Sequence, residues 1–498
     1  MRKFLSWFYP HPESALNIHW QLTQLSLVLL PFNTFVGAVL MFLNSCALWA
    51  KYANQFVQSL LHQLLLILGA WMVIIALFAD RKDFSLLGLF NFLPFFIAFI
   101  AQSHLFRSVQ QLRQLAWILV VPSVPISMLA IGQMFFGWGF HLKLLSFGGD
   151  GILLDLLLKS GGMPAGRASS LFYYATILAS YLVITFTVSF GLWADAIATR
   201  KTARQKISFP LVLKLPLIVQ TILSNPWTRC TLLGLAVGLN FTALFLTQSR
   251  NAWAIALAVV FIFSIGLGWR KLSGLLISGL GIVTAAAYGI PPLSDWARTI
   301  VPRMIWARVN DDLFLDRPIA SLRLTQWKFA ISLIEKRPWT GWGLRNFSAL
   351  YEASTGFFIG HPHNLPLMLS CEMGIPATLL FYGLVGTVMV SSIIHSHQSK
   401  LSSHDRAIHL TILLAFLCCT VFSLFDIPIF DARINLFGWI LLAALWGFAS
   451  APLKHRTRRA MPLQMLEPVS GRDMAMPCPK PNGTIPNTPD SGQTRSSY

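Results

Sequence analysis

The feature that most constrains this chain is the recurrence of apolar blocks about 18–25 residues long, the length a helix needs to cross the hydrocarbon core of a bilayer. Candidate spans lie near 22–46, 60–79, 84–103, 115–138, 168–194, 229–248, 251–268, 272–290, 364–394, 408–425 and 433–450. That is about eleven spans, or twelve if the first is two segments broken at Pro31. Composition shows why these blocks are spans. Of 498 residues, 55% are apolar and only 11% charged, against roughly 25% charged in ordinary soluble domains. So little polar surface cannot cover a soluble core of this size, and the expected fold is all-α, a polytopic membrane helix bundle. The first block is too long, and too poorly followed by small residues, for a cleaved signal peptide, and is expected to be retained.

The net charge of +19 would suggest nucleic acid in a soluble protein. Here the basic residues sit in short connections and tails between apolar blocks, which makes them determinants of topology, and no nucleic-acid partner is expected. Arg200, Lys201, Arg204, Lys206 and Lys214, offset only by Asp195, place the 195–228 connection in the cytoplasm. Alternation then puts Arg270–Lys271, the 395–407 connection and the C-terminus in the cytoplasm, in agreement with Lys454, Arg456, Arg458 and Arg459 directly after the last span. The 139–167 and 291–363 segments and the turn at Arg250 face outward. Four regions result: N-terminal membrane helices (1–290), an extracytoplasmic loop expected to carry the chemistry (291–363), C-terminal membrane helices (364–450) and a Pro-, Ser- and Asn-rich disordered cytoplasmic tail (451–498). Six scattered cysteines show neither metal nor disulfide spacing.

The 291–363 loop is far longer than the usual connection of about 4–6 residues, and such loops are functional or disordered. Trp296, Trp306, Trp327, Trp339 and Trp342 argue for order. From Leu322 to Ile334, helical spacing of Leu324, Trp327, Ile331 and Ile334 predicts an amphipathic surface helix. Ser321 is placed to cap it, with Arg323 in the first turn, where free N–H groups favour an anion. Pro338, Gly341 and Gly343 make a turn before Asn346–Phe347, and the loop closes on His361, Pro362, His363 and Asn364. An imidazole at such a place, with an ordinary pKa of about 6.5, can act as a general base; the alternative is an interfacial polar residue at a helix start. Arg250, within Thr247–Asn251, faces either a polar cavity or lipid phosphate. Arg167 joins the same cluster or merely anchors its helix. Glu372, two to three turns beyond His363, is placed to shape an acceptor cavity. Asp426 and Asp431 read as ordinary loop residues. Asp311–Asp312 reads as a solvated turn rather than a metal site, and His395, His397, His404 and His409 as a solvated cytoplasmic loop; no metal or other cofactor is expected.

Ser249–Arg250, Arg323 with Trp327, the Pro338-x-x-Gly341-x-Gly343-x-x-Asn346-Phe347 turn and His363-Asn364-x-x-Leu367 followed by Glu372 and Gly374 occur in that order over residues 165–390. In this the chain resembles the O-antigen ligase and O-antigen polymerase superfamily of bacterial envelope enzymes. It departs from the pattern at Arg345 and Pro376, where smaller or more flexible residues are expected, and at Ser169–Tyr174, in place of a Gly-Asn-Pro-Asn-rich segment. The resemblance implies a multi-pass protein of the bacterial inner (plasma) membrane. It implies a donor glycan on a polyprenyl (undecaprenyl) diphosphate and transfer to a sugar hydroxyl of a lipid-linked acceptor, as in lipopolysaccharide and polysaccharide biosynthesis. The expected glycosyltransferase is metal-independent and inverting. His363, with His361 second, is its base; Arg250, Arg323 and Arg167 hold the diphosphate, and Asn364 and Glu372 border the acceptor. The reading from another class is a permease for a small solute, against which the absence of matched interrupted segments in two halves counts.

Overall fold

The computed structural model describes residues 8–147, 151–200, 225–310, 312 and 318–452. The basic residues from Lys201 to Lys214 and after Lys454, and Asp311, lie outside the described residues. In chain order come Asn17–Leu29 (α1), Thr34–Phe56 (α2), Leu60–Phe78 (α3), Lys82–Leu89 (α4), Leu93–Ser103 (α5) and Val109–Phe135 (α6). A hairpin of Phe140–Phe147 (β1) and Gly151–Leu158 (β2) precedes Ala175–Arg200 (α7), Pro226–Leu246 (α8), Arg250–Gly266 (α9) and Arg270–Tyr288 (α10). The long connection holds Leu293–Ile300 (α11), Arg303–Val309 (α12), Arg323–Lys336 (α13) and Asn346–Thr355 (α14). Leu365–Met373 (α15), Ile375–Gln398 (α16), Ser403–Phe422 (α17) and Ala432–Ala449 (α18) follow.

Among the described residues, ten helical stretches are long and apolar enough to cross a membrane, and α9 is a shorter apolar helix. The protein is therefore a largely α-helical, multi-spanning membrane protein. Two expectations are corrected and one open choice is decided. The block at 22–46 takes the broken form: α1 stops at Leu29, and α2 restarts at Thr34 behind Asn33, whose side chain accepts from the Val36 amide. Pro31 lacks an N–H and supplies the break. The block at 364–394 is interrupted at Gly374, which has φ +85° and leaves no room for a Cβ against the Trp339 carbonyl. The all-α expectation also missed the antiparallel hairpin that pairs Phe140 with Leu158 and Phe147 with Gly151.

Of the Ala175–Ala198 stretch in α7, 89% is buried, against 11% of α10, so α7 is a central helix and α10 is peripheral. Polar side chains join the central helices where lipid offers them no partner. Asn240 of α8 donates to Ser123 of α6 (3.0 Å) and accepts from Thr185 of α7 (3.0 Å). Near the C-terminal end of α7, the buried Asp195 meets Arg113 of α6 at 2.6 Å, Arg229 of α8 at 3.7 Å and His404 of α17 at 3.0 Å. Of the four histidines read as a solvated loop, His397 is exposed and His404 half-buried, but His395 and His409 are buried, and His409 bonds Ser392 at 2.7 Å.

The long connection has a small core of its own, made of Ala330, Leu333, Phe347, Tyr351 and Cys371. Helix α13 packs through Gln326, Ala330 and Leu333, whereas Leu324 and Ile331 of the expected apolar face are 61% and 44% exposed. The core chose the neighbouring stripe because Phe347 and Tyr351 of α14 offer an aromatic wall there, with Phe329 edge-on to Tyr351. Two tryptophans stitch the layer together. Trp327 Nε1 donates to the Pro362 carbonyl at 2.9 Å and Trp342 Nε1 to that of Leu333 at 2.9 Å.

Candidate functional site

A cavity of about 320 Å³ opens at the end of the bundle that bears the long connection, and Arg167, Arg250, Arg308 and Arg323 line it together with His363 and Asp426. The three arginines expected from the sequence come together, and Arg308 of α12 is a fourth. Nothing in its spacing separates Arg308 from Arg298 and Arg303 of the same connection. Each arginine whose bonds are resolved is braced by main-chain oxygens. Arg167 Nε donates to the Thr247 carbonyl at 2.8 Å, Arg250 Nη1 to the Arg308 carbonyl at 2.8 Å and Arg308 Nε to the Gln248 carbonyl at 3.0 Å. The Gln248 side chain accepts from Arg308 and donates to the Gly166 carbonyl. Such bracing fixes guanidinium positions without neutralising their charge, as a site for a multiply charged anion requires.

Two helices begin at this cavity. The first residues of α9 (Ser249, Arg250, Asn251) and of α13 (Leu322, Arg323) line it, and neither N-terminus has a side-chain cap. The expected cap from Ser321 is not made: its hydroxyl turns back to the Pro318 carbonyl at 2.7 Å, because Ser321 ends a short 3₁₀ turn and the cap position falls to Leu322. The positive dipole ends of these two helices add to the arginine field.

Opposite the arginines, His363 Nδ1 lies 3.1 Å from Asp426 Oδ1. Asp426 is no ordinary loop residue. Burial alone would raise its pKa, but the hydrogen bond from His363 and the nearby imidazoles outweigh that and hold it below the usual carboxylate range. The only sequence signal for it was an acidic group near a span end. His361 stacks on Phe430 with centroids 5.6 Å apart, and its Nδ1 accepts from the His363 amide at 3.2 Å. Burial, the neighbouring His363 and Arg323 push its pKa down to about 4 against the opposing pull of Asp426, so it stays neutral. Ligand atoms of His361, His363 and Asp426 all lie within 4.8 Å of one another, a set that could also hold a divalent ion.

The remaining expected site residues are placed differently. Asn364 caps α15, accepting from Leu367 N at 2.9 Å and donating to the Leu424 carbonyl at 3.1 Å. Glu372 is buried and accepts from the backbone amides of Arg345 and Phe347. Around it Gly343 N donates to the Glu372 carbonyl at 2.9 Å, Trp342 N to that of Cys371 at 3.0 Å and Ile375 N to that of Pro338 at 2.8 Å. Among the described residues, neither Asn364 nor Glu372 lines the arginine cavity; both fasten the glycine turn and the histidine loop to the broken span. Strain concentrates here as well, since Gln248, Arg345 and His363 hold φ of 51°, 60° and 53° although none is glycine.

A second cavity of about 390 Å³ adjoins the first, sharing Thr176 and Asp426, and is lined by Tyr173, Tyr174, Arg345, His361 and Phe430 among others. No curated protein matches the chain. Residues 235–382, the segment that holds Arg250, Arg308, Arg323, His361 and His363, match the family model described as O-antigen ligase.

Proposed function

We propose that the protein transfers a glycan from a polyprenyl diphosphate to a sugar hydroxyl of a lipid-linked acceptor at the outer face of the bacterial inner membrane. The observation that carries this reading is the gathering of four arginines and two helix N-termini around one cavity that also holds a histidine–aspartate pair. The diphosphate sits among Arg167, Arg250, Arg308 and Arg323, which stabilise the charge that grows as the anomeric C–O bond breaks. His363 takes the proton of the attacking hydroxyl. With its Nδ1 proton directed to Asp426, Nε2 is left as the accepting atom, and the carboxylate steadies the imidazolium that forms. His363 is preferred over His361 because it lines the arginine cavity, whereas His361 faces the second cavity with Nδ1 already engaged. Attack from the side opposite the diphosphate inverts the anomeric configuration. The mechanism asks for no metal, as the arginines supply the positive charge.

The test compares surface glycans of a deletion strain complemented with wild type, His363→Ala or Arg250→Ala at matched membrane levels. The expected outcome is a glycan ladder only with wild type. An unchanged ladder in the deletion strain would remove the reading, and solute flux in proteoliposomes would then support the permease instead.

A further inference from the structure

Tyr173 and Tyr174 are more than 150 positions from Arg345 in the chain, yet all three line the second cavity. We propose that this cavity is the acceptor subsite and that it selects a sugar carrying an anionic group, a carboxylate or a phosphate, through Arg345. The inference rests on the transfer reading, because it assigns the acceptor side of the same reaction.

Position supports it. The second cavity meets the arginine cavity at Thr176 and Asp426, so a hydroxyl entering from it arrives beside the His363–Asp426 pair. Its surface suits a sugar. The Tyr173 and Tyr174 rings lie 6.2 Å apart at an interplanar angle of 31° and are 71% and 40% exposed, a pair of faces on which a pyranose can lie. That platform is held firmly from behind. The amides of Ser169 and Ser170 donate to Gln133 Oε1 at 3.0 and 2.9 Å, and Arg433, clamped by Asp431 at 2.6 Å, donates to the Leu171 carbonyl and lies over Phe172 at 4.0 Å.

Arg345 is the cationic element. It holds φ +60°, where an L-residue is disfavoured, immediately before α14, and its amide is anchored by buried Glu372. Its guanidinium lies 5.2 Å from the centroid of Phe430, which orients it while leaving its donors for an oxyanion. The strained backbone is maintained at the point where a charge would read the acceptor.

The experiment measures binding to the purified full-length protein in nanodiscs, with trigalacturonate, mannose 6-phosphate and neutral galactotriose as probes. Trigalacturonate, mannose 6-phosphate or both should bind at millimolar concentration or below, and which of them does so identifies the carboxylate or the phosphate as the recognised group. Galactotriose should bind at least about tenfold more weakly. Arg345→Gln should weaken the acidic probes about tenfold or more and abolish the preference, Arg345→Lys should restore part of it, and Tyr173→Ala should weaken every probe that binds. Equal affinity for acidic and neutral probes, no binding of either acidic probe, or an Arg345→Gln variant identical to wild type overturns the inference. A surface glycan ladder independent of the protein, with acid-selective binding intact, would instead indict the transfer reading, whereas loss of acidic-probe binding in Arg250→Ala with full binding in Arg345→Gln would place those probes in the first cavity and overturn the inference.

Discussion

His361 and His363 are two positions apart and serve different ends. His363 faces the arginines and pairs with Asp426, while His361 packs against Phe430. Replacing His363 with Ala should lower transfer by about 10² or more at unchanged membrane level. Asp426→Asn should lower it less, and the double variant should be no slower than His363→Ala alone, because the two groups act as a unit; rate measurements on purified protein decide this. Acid should loosen the same corner. A solvated histidine takes its proton at about 6.5, the packed His361 only at about 4, so the open state binds more protons throughout that window. The packed loop therefore has its full stability above about pH 6.5 and loses it as pH falls toward 4. Asp426, held below its ordinary range, adds a loss in the same direction at still lower pH. Protection factors for hydrogen exchange over 361–364 and 423–427, taken relative to the intrinsic rate at each pH, should fall on acidification, and His361→Gln should flatten the response between about 6.5 and 4.

At the scale of elements, the site depends on how the glycine turn is fastened to the broken span. The Glu372 carboxylate accepts two backbone amides in a buried place, so Glu372→Ala leaves both without a partner and should cost about 2–5 kcal/mol. Glu372→Gln, which keeps one acceptor, should cost clearly less; thermal unfolding in detergent separates the two. Trp327 works more locally, tying α13 to the carbonyl just before His363. Trp327→Phe removes that bond and keeps most of the ring, so it should reduce transfer several-fold with little change in melting temperature.

For the whole molecule, the Asp195 cluster and Thr176 mark opposite ends of α7, separated by roughly 28 Å at about 1.5 Å per residue, close to the thickness of a bilayer's hydrocarbon core. The arginine cavity and the Asp195 clamp therefore belong to opposite ends of the span. A cysteine at exposed Glu352 of α14 should react with an impermeant maleimide added outside intact spheroplasts, and protection there would reverse the orientation. Chelation by EDTA should leave transfer intact; its loss, with recovery on adding a divalent ion, would turn His361, His363 and Asp426 into ligands.

The membrane fold was legible from the chain because burying backbone in lipid demands long apolar helices, a requirement written into consecutive residues. Arg250 and His363 stood out as candidates because charged or titratable groups at span ends are costly unless they are used, and Arg323 because it falls in the first turn of the expected surface helix. The sequence could not indicate Arg308 or the role of Asp426, whose partners lie 60 and 63 positions away and are joined to them only by packing. Nor could it show that Asn364 and Glu372 serve the scaffold, that Ser321 turns away from α13, or which stripe of α13 is buried. Each of these was a contest between near-equal local choices. Helical periodicity permits two neighbouring apolar stripes on α13, and only the aromatic wall of α14 selects between them.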